Sequence, residues 1–340
     1  MRSLALLLVV ATSAAALAQT AQPPQFTDRV DVSRIVVDAR PLDGKGNAIL
    51  GLSADDFAVR IGNKPAHVES ATWIGAESSE VLGPPVVDAP MPSGALPRGR
   101  LIVLLFQKDL QPTRIIGLMR ILFRAKTFVE TLGSDDRVAI VSFDSHLKIW
   151  VDFTNDKVEL LRILDRGLLL EKPKALEEST AAISLTGWLS QSEGRKAYPF
   201  ERALRLLGEA LETLPGSKSI VLFGHGFGEL TRMGVMMDNE YDDAVVALNR
   251  ARAAVFSIDV TQADGHSLEV ALQSVSEQTG GFYERTFHHP DRSVRRLVGA
   301  LAGYYVLFVE SPDRTFKWEE LSVKLTRRDG TVLAREAIQR

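Results

Sequence analysis

Cysteine is absent from all 340 residues. Its absence excludes disulfides, thiolate metal sites, a cysteine nucleophile and a lipid-anchored start, which needs a cysteine just after its leader. Dense basic runs are also missing. Lys and Arg total 40 against 43 Asp and Glu, for a net charge of −3. A phosphate-tracking groove needs clustered cations, so nucleic acid is not an expected partner. Beyond residue 18 no stretch is apolar and long enough to cross a bilayer, which takes about 20 residues.

What is present starts with an export pattern. Arg2 is followed by the apolar run 4–18, and Ala16-Leu17-Ala18 is a small-x-small cleavage site. This predicts a signal peptide over 1–18, cleavage after Ala18 and a periplasmic or secreted product. Hydrophobic residues make up 45% and charged residues 24%, so a core of ordinary size can form without disulfides.

Residues 27–75 read as a small β unit, with turns at Asp43-Gly44-Lys45-Gly46 and Gly62-Asn63-Lys64. Residues 76–98, rich in Pro, Gly and small side chains, read as a linker. The pattern then changes. Leu101-Ile102-Val103-Leu104-Leu105-Phe106 is a continuous apolar run, as in a strand buried on both faces. Helical spacing follows at Ile115, Leu118, Leu122, Ala125 and Val129, and then a second buried strand at 137–143. Helices over 158–169 and 200–213, strands over 219–223 and 254–258, and helices near 241–248, 268–279 and 294–301 continue the alternation. This predicts an α/β fold for 99–303: a doubly wound, mostly parallel sheet covered on both faces. Residues 304–340 return to strands, with 321–326 and 332–338 flanking the hairpin-like turn Arg328-Asp329-Gly330. A few strands alone are marginal, so the two chain ends are expected to pair into one small β domain.

Several segments resemble von Willebrand factor A-like domains. They are Gly133-Ser134-Asp135-Asp136-Arg137-Val138-Ala139-Ile140-Val141-Ser142-Phe143, Leu214-Pro215-Gly216-Ser217-Lys218-Ser219-Ile220-Val221-Leu222-Phe223, Ala254 to Asp259 and Gln278-Thr279-Gly280-Gly281. Gly51 to Phe57 and Gly303-Tyr304-Tyr305-Val306-Leu307 extend the likeness to the secreted VWFA-related type common in Acidobacteria. The resemblance implies a metal-ion-dependent adhesion site, in which Asp-x-Ser-x-Ser follows the first strand and a Thr and an Asp come from later loops. Here Phe106 stands at the Asp position, and Lys108 and Leu110 stand at the hydroxyl positions. His225 replaces the later Asp, and Lys196-Ala197-Tyr198-Pro199 replaces the Thr loop. An ammonium repels a divalent ion rather than coordinating it. No metal and no cofactor is therefore expected.

In doubly wound sheets ligands sit at the carboxyl ends of the strands. Here that rim is loops 106–112, 143–148, 224–235 and 259–266, with Lys108, Asp109, His146, His225 and Glu229 as candidate partner contacts. Gly224-His225-Gly226-Phe227-Gly228 lacks a nucleophile at its centre and reads as a strand-exit turn needing positive φ. Asp135-Asp136 reads as turn chemistry, His288-His289 as a solvated loop, and Trp73, Trp150, Trp188 and Trp318 as packing residues. Segment 171–199 is either a functional or mobile loop anchored by Leu185 and Trp188, or a short helix packed over the sheet. The expected function is an exported, non-enzymatic protein-binding module with a degenerate adhesion site. The alternatives are a Mg²⁺-dependent adhesion protein with a site shifted to Asp109, or an exported hydrolase.

Overall fold

The computed structural model of the chain describes residues 33–75, 99–109, 111–288, 290–311 and 319–338. The expected signal peptide 1–18 and linker 76–98, together with Leu110, His289 and Trp318, lie outside the described residues.

The apolar run becomes the strand Leu101–Gln107, buried at every position. It is central in a six-stranded sheet. Arg137–Phe143 and Leu147–Thr154 follow on one side. Lys218–Gly224, Ala253–Asp259 and Tyr283–Arg285 follow on the other. All neighbours are parallel except Leu147–Thr154, which returns antiparallel to the strand before it. Alternate side chains feed two separate cores. Leu101, Val103 and Leu105 pack with helices Phe200–Glu212, Tyr241–Arg250 and Glu269–Thr279. Ile102, Leu104 and Phe106 pack with helices Pro112–Glu130 and Pro290–Ala300. Burial on both faces is what an unbroken hydrophobic strand requires.

Local chemistry sets the element ends. Pro112 opens its helix, where its missing N–H costs nothing. Asp156 caps the next helix by accepting from Val158 N and Glu159 N. Gly280 closes Glu269–Thr279 at φ +81°, a left-handed cap that disfavours any side chain. Asp136 does more than make a turn. Its buried carboxylate accepts from Arg100 N, Arg100 Nε and Gly133 N, which latches the starts of the first two strands together.

Both chain ends meet in two four-stranded antiparallel sheets. Ser33–Leu42 pairs with Gly303–Ser311 in a register that sets Val37 opposite Leu307. Phe57–Ile61 pairs with Glu319–Leu325. Between the sheets lies a core of Val37, Ala39, Phe57, Val59, Tyr305 and Leu307. Tyr305 is wholly buried, and its hydroxyl accepts from Leu52 N at 3.0 Å and donates to Ile49 O at 3.3 Å.

Three sequence expectations need correction. The strand Leu147–Thr154 was not anticipated, although Leu147, Ile149, Val151 and Phe153 alternate as a half-buried strand should. The turn at Arg328-Asp329-Gly330 does not join a hairpin. Thr331–Leu333 pairs with Ser33–Leu42 in one sheet, while Ala337–Ile338 pairs with Glu319–Leu325 in the other. Thr331–Leu333 thus finds its partner in the amino-terminal segment, and Ala337–Ile338 returns to the carboxyl-terminal strand Glu319–Leu325. Trp188 is not a packing residue, being 59% exposed. Trp150 is buried, and Trp73 packs on the Tyr305 ring at 5.0 Å.

Candidate functional site

The carboxyl ends of the central strands carry a cleft of about 740 Å³. Its floor is Gln107 and His225, and its apolar walls include Ile115, Leu169, Phe200, Phe227 and Leu268. Lys108, Asp109 and Asp144 supply charge, and Tyr198 stands at the margin, mostly exposed.

Phe106 decides what the floor can hold. It is wholly buried and stacks on Phe223, with ring centroids 4.7 Å apart and planes 16° apart. The side chain at the acid position therefore belongs to the core. The next residue, Gln107, is a neutral carboxamide whose Oε1 accepts from His225 N at 2.8 Å. A shift of one residue thus brings no carboxylate. Lys108 N donates to Phe143 O at 2.8 Å, and its Nζ lies 5.5 Å from the Trp150 ring centroid. Burial pulls the Lys108 pKa down, Asp144 pushes it back up and Lys148 adds repulsion. As Asp144 is held by Lys148 Nζ at 2.6 Å, Asp109 is held by the Arg114 guanidinium and by Gln111 N at 2.9 Å. Burial alone would raise its pKa, but these bonds leave it below the usual carboxylate range. The residues present do not fit a divalent ion in the adhesion-site geometry: Phe106 and Lys108 stand at ligand positions, and the cleft oxygens of Gln107, Asp109 and Asp144 are engaged by His225 N, Arg114 and Lys148.

His225 sits on a turn that only glycine allows. Gly226 has φ +98°, and a Cβ there would lie 2.4 Å from Leu268 O. The His225 ring is largely enclosed, and its Nδ1 has no hydrogen-bond partner among the described residues. Burial first, then the Arg114 charge, lowers its pKa to about 4, so the imidazole is neutral at pH 7.

Of the candidate contacts, Lys108, Asp109 and His225 share this cleft. His146 does not. It lies at the hairpin leading into Leu147–Thr154, its Nδ1 3.1 Å from Ser145 Oγ, beside a separate hollow lined by Pro173, Gln191 and Arg195. Glu229 begins a small exposed hairpin, Glu229–Thr231 with Gly234–Met236, and does not line the cleft.

Segment 171–199 is an irregular loop pinned to the sheet that also carries a short helix. Its one regular element is the short helix Gln191–Arg195. Asp152, on the antiparallel strand, accepts from Ser184 Oγ at 2.5 Å, Leu185 N at 2.7 Å, Thr186 Oγ1 at 2.9 Å and Thr186 N at 3.1 Å. Leu185 is driven fully into the core, while Trp188 and Tyr198 face outward.

A polar cluster at the end of Ala253–Asp259 had no sequence signature. Asp259 accepts from His266 Nε2 and Tyr283 OH, each at 2.9 Å, and from Thr261 N at 2.8 Å. Glu269 accepts from Arg285 Nε at 3.0 Å and Arg285 Nη2 at 2.6 Å. Ligand atoms of Asp259, His266 and Glu269 converge within 4.8 Å of one another. The Arg285 guanidinium already neutralises Glu269, and the Tyr283 hydroxyl lies within reach of both carboxylates. In this arrangement the cluster is a closed hydrogen-bonded knot that ties two loops to the sheet edge. Its members are scattered over 259–285, and no spacing rule links them.

No protein-family model matches the chain. No curated protein matches it either. Solved structures do. A von Willebrand factor type A protein from Catenulispora acidiphila is 10% identical, with 84% of this chain and 73% of that one covered, at a TM-score of 0.44. The conserved hypothetical protein BatB from Bacteroides thetaiotaomicron is 14% identical, with 59% and 98% covered, at 0.38. The manganese-loaded TRAP protein of Plasmodium vivax is 10% identical, with 79% and 96% covered, at 0.37. Each of these overlays has a TM-score below 0.5.

Proposed function

We propose that the chain is an exported, non-enzymatic protein-binding module whose adhesion site has lost its metal and works through side chains alone. In this reading residues 99–303 form the recognition module, and 27–75 with 304–340 form its β companion. The supporting observation is the burial of Phe106 in the core beneath a cleft that carries Lys108 at its mouth. An apolar cleft with a half-buried ammonium suits a partner side chain that brings its own carboxylate. Lys108 then takes the electrostatic place of the absent ion, and the outward Tyr198 at the margin widens the contact. Aromatic anchors around a desolvated charge are the usual energetic centre of a protein interface.

The test is quantitative capture of partners from periplasm or culture medium, with wild type and Lys108→Glu compared in the presence and absence of EDTA. A protein retained by wild type, indifferent to EDTA and weakened about tenfold or more by the charge reversal supports the reading. Retention that needs Mg²⁺, or that ignores the substitution, refutes it. Export has its own check. The mature chain recovered from the producing cell should begin at Gln19, and a product that keeps Met1 in the cytoplasm would remove that part of the proposal.

A further inference from the structure

At the opposite, amino-terminal edge of the central sheet, Arg40 is an exposed-type side chain that is only 4% exposed. Strand Ser33–Leu42 carries it inward, pairing it with Leu333. Its guanidinium lies 5.2 Å from the Tyr304 ring centroid and 5.6 Å from that of Phe256. Among the described residues it makes one side-chain hydrogen bond, from Nη2 to Ser217 Oγ at 3.2 Å. A guanidinium has five N–H donors, so most of its capacity is unspent. No carboxylate is within ion-pairing distance of it among the described residues.

The surroundings deepen the imbalance. Asp38, two residues earlier on the same strand face, is engaged by Arg252 through Nε at 3.1 Å and through Nη2. Arg335 donates from Nη2 to Val36 O at 2.9 Å, and its buried Nε has no partner among the described residues. Asp38 is the one carboxylate acting on Arg40 and on Arg335 among the described residues. Rings flanking a cation recover only part of its lost hydration. Beside Arg40 is a narrow pocket of about 50 Å³, lined also by Arg100, Gly216, Ser217, Ser219 and Tyr304. That is several times the roughly 10–15 Å³ one ordered water takes. Cation, hydroxyls and small residues converge there, and no acid lines it.

We infer that this pocket is a binding site for a small tetrahedral oxyanion of the phosphate or sulfate type. The anion accepts from the unspent N–H groups of Arg40 and from the Ser219 hydroxyl, while Ser217 Oγ keeps its donation to Arg252 O at 3.2 Å. It joins strand Ser33–Leu42 of the terminal β sheets to the turn before Lys218–Gly224. The inference is independent of the proposed rim function, which lies at the other end of the strands.

Calorimetric titration of the mature chain with inorganic phosphate, sulfate and phosphoserine tests it, at constant ionic strength with chloride as the reference. The expected result is saturable binding of phosphate or sulfate, weakened at least tenfold in Arg40→Gln and several-fold in Ser219→Ala, with a melting temperature raised by the anion over chloride. Binding of the free ions alone assigns an inorganic ligand. Equal or tighter binding of phosphoserine assigns a phosphomonoester. Either result supports the site. Absence of saturable heat from all three probes overturns it. So does binding that is unchanged in Arg40→Gln. Should that variant not fold, binding unchanged in Ser219→Ala overturns it instead.

Discussion

A Phe106→Asp chain should lose most of its folded population and gain no affinity for Mg²⁺. On the proposed reading, restoring the acid is the obvious repair, and the burial of Phe106 is the reason it should fail. Phe106 is wholly buried and stacked on Phe223 in the core beneath helix Pro112–Glu130. Removing such a ring costs about 3–5 kcal/mol. The replacement carboxyl must then be buried without a partner, adding a penalty of roughly 1–3 kcal/mol even if it protonates. Together these approach the whole stability of a typical domain, about 5–15 kcal/mol. Lys108 would remain two residues away and oppose a cation. Urea unfolding followed by circular dichroism measures the first effect, and titration calorimetry with Mg²⁺ measures the second. A stable variant that binds Mg²⁺ would show that the cleft is an adhesion site one substitution from function.

Asp152→Ala should release segment 171–199 and destabilise the chain by about 3 kcal/mol, within the range for removing the acceptor of a buried charged network. The carboxylate gathers four donors from Ser184, Leu185 and Thr186, and these donors would be left without it. At pH 7, limited proteolysis should cut the variant within 171–199 well before wild type. Asp152→Asn, which keeps one acceptor oxygen, should fall between the two. Acid should act in the same direction. Burial alone would raise the Asp152 pKa, yet the hydrogen bonds from Ser184, Leu185, Phe153 and Thr186 hold it below its ordinary 3.8. A depressed carboxylate contributes stability above its unfolded pKa and loses it as the pH falls through the folded value. The contribution is therefore complete at neutral pH and fades below about pH 4. Unfolding free energies between pH 7 and pH 3 should converge for wild type and Asp152→Ala. Parallel curves, or equal cleavage at pH 7, would mean that the segment is held by Leu185 packing rather than by the carboxylate.

Most of the central architecture was legible because its signals are periodic. Leu101 to Phe106 could only be a strand buried on both faces, and the spacing of Leu118, Leu122, Ala125 and Val129 could only be a helix against it. Strand Leu147–Thr154 was equally legible, since Leu147, Ile149, Val151 and Phe153 alternate as in a half-buried strand. The crossing of Thr331–Leu333 to the other sheet was not legible, because a turn motif states that the chain reverses and not which strand it then pairs with.

The candidate site divides along the same line. Sequence alone determined a buried-type Phe106 followed by Lys108 at a strand exit, a glycine-framed His225, and a rim formed by strand exits; that Phe106 and Lys108 replace metal ligands is what the resemblance implies. Only tertiary structure decided that Lys108, Asp109 and His225 share one cleft while His146 and Glu229 stand apart. It also decided that Asp152 holds a loop more than 30 residues away, that Asp259 meets His266 and Tyr283, and that Arg40 is buried beside Ser217. The physical reason is that burial and periodicity are properties of a strand or helix by itself. Which polar side chains meet depends on the order of strands in the sheet, where residues distant in sequence end at one edge.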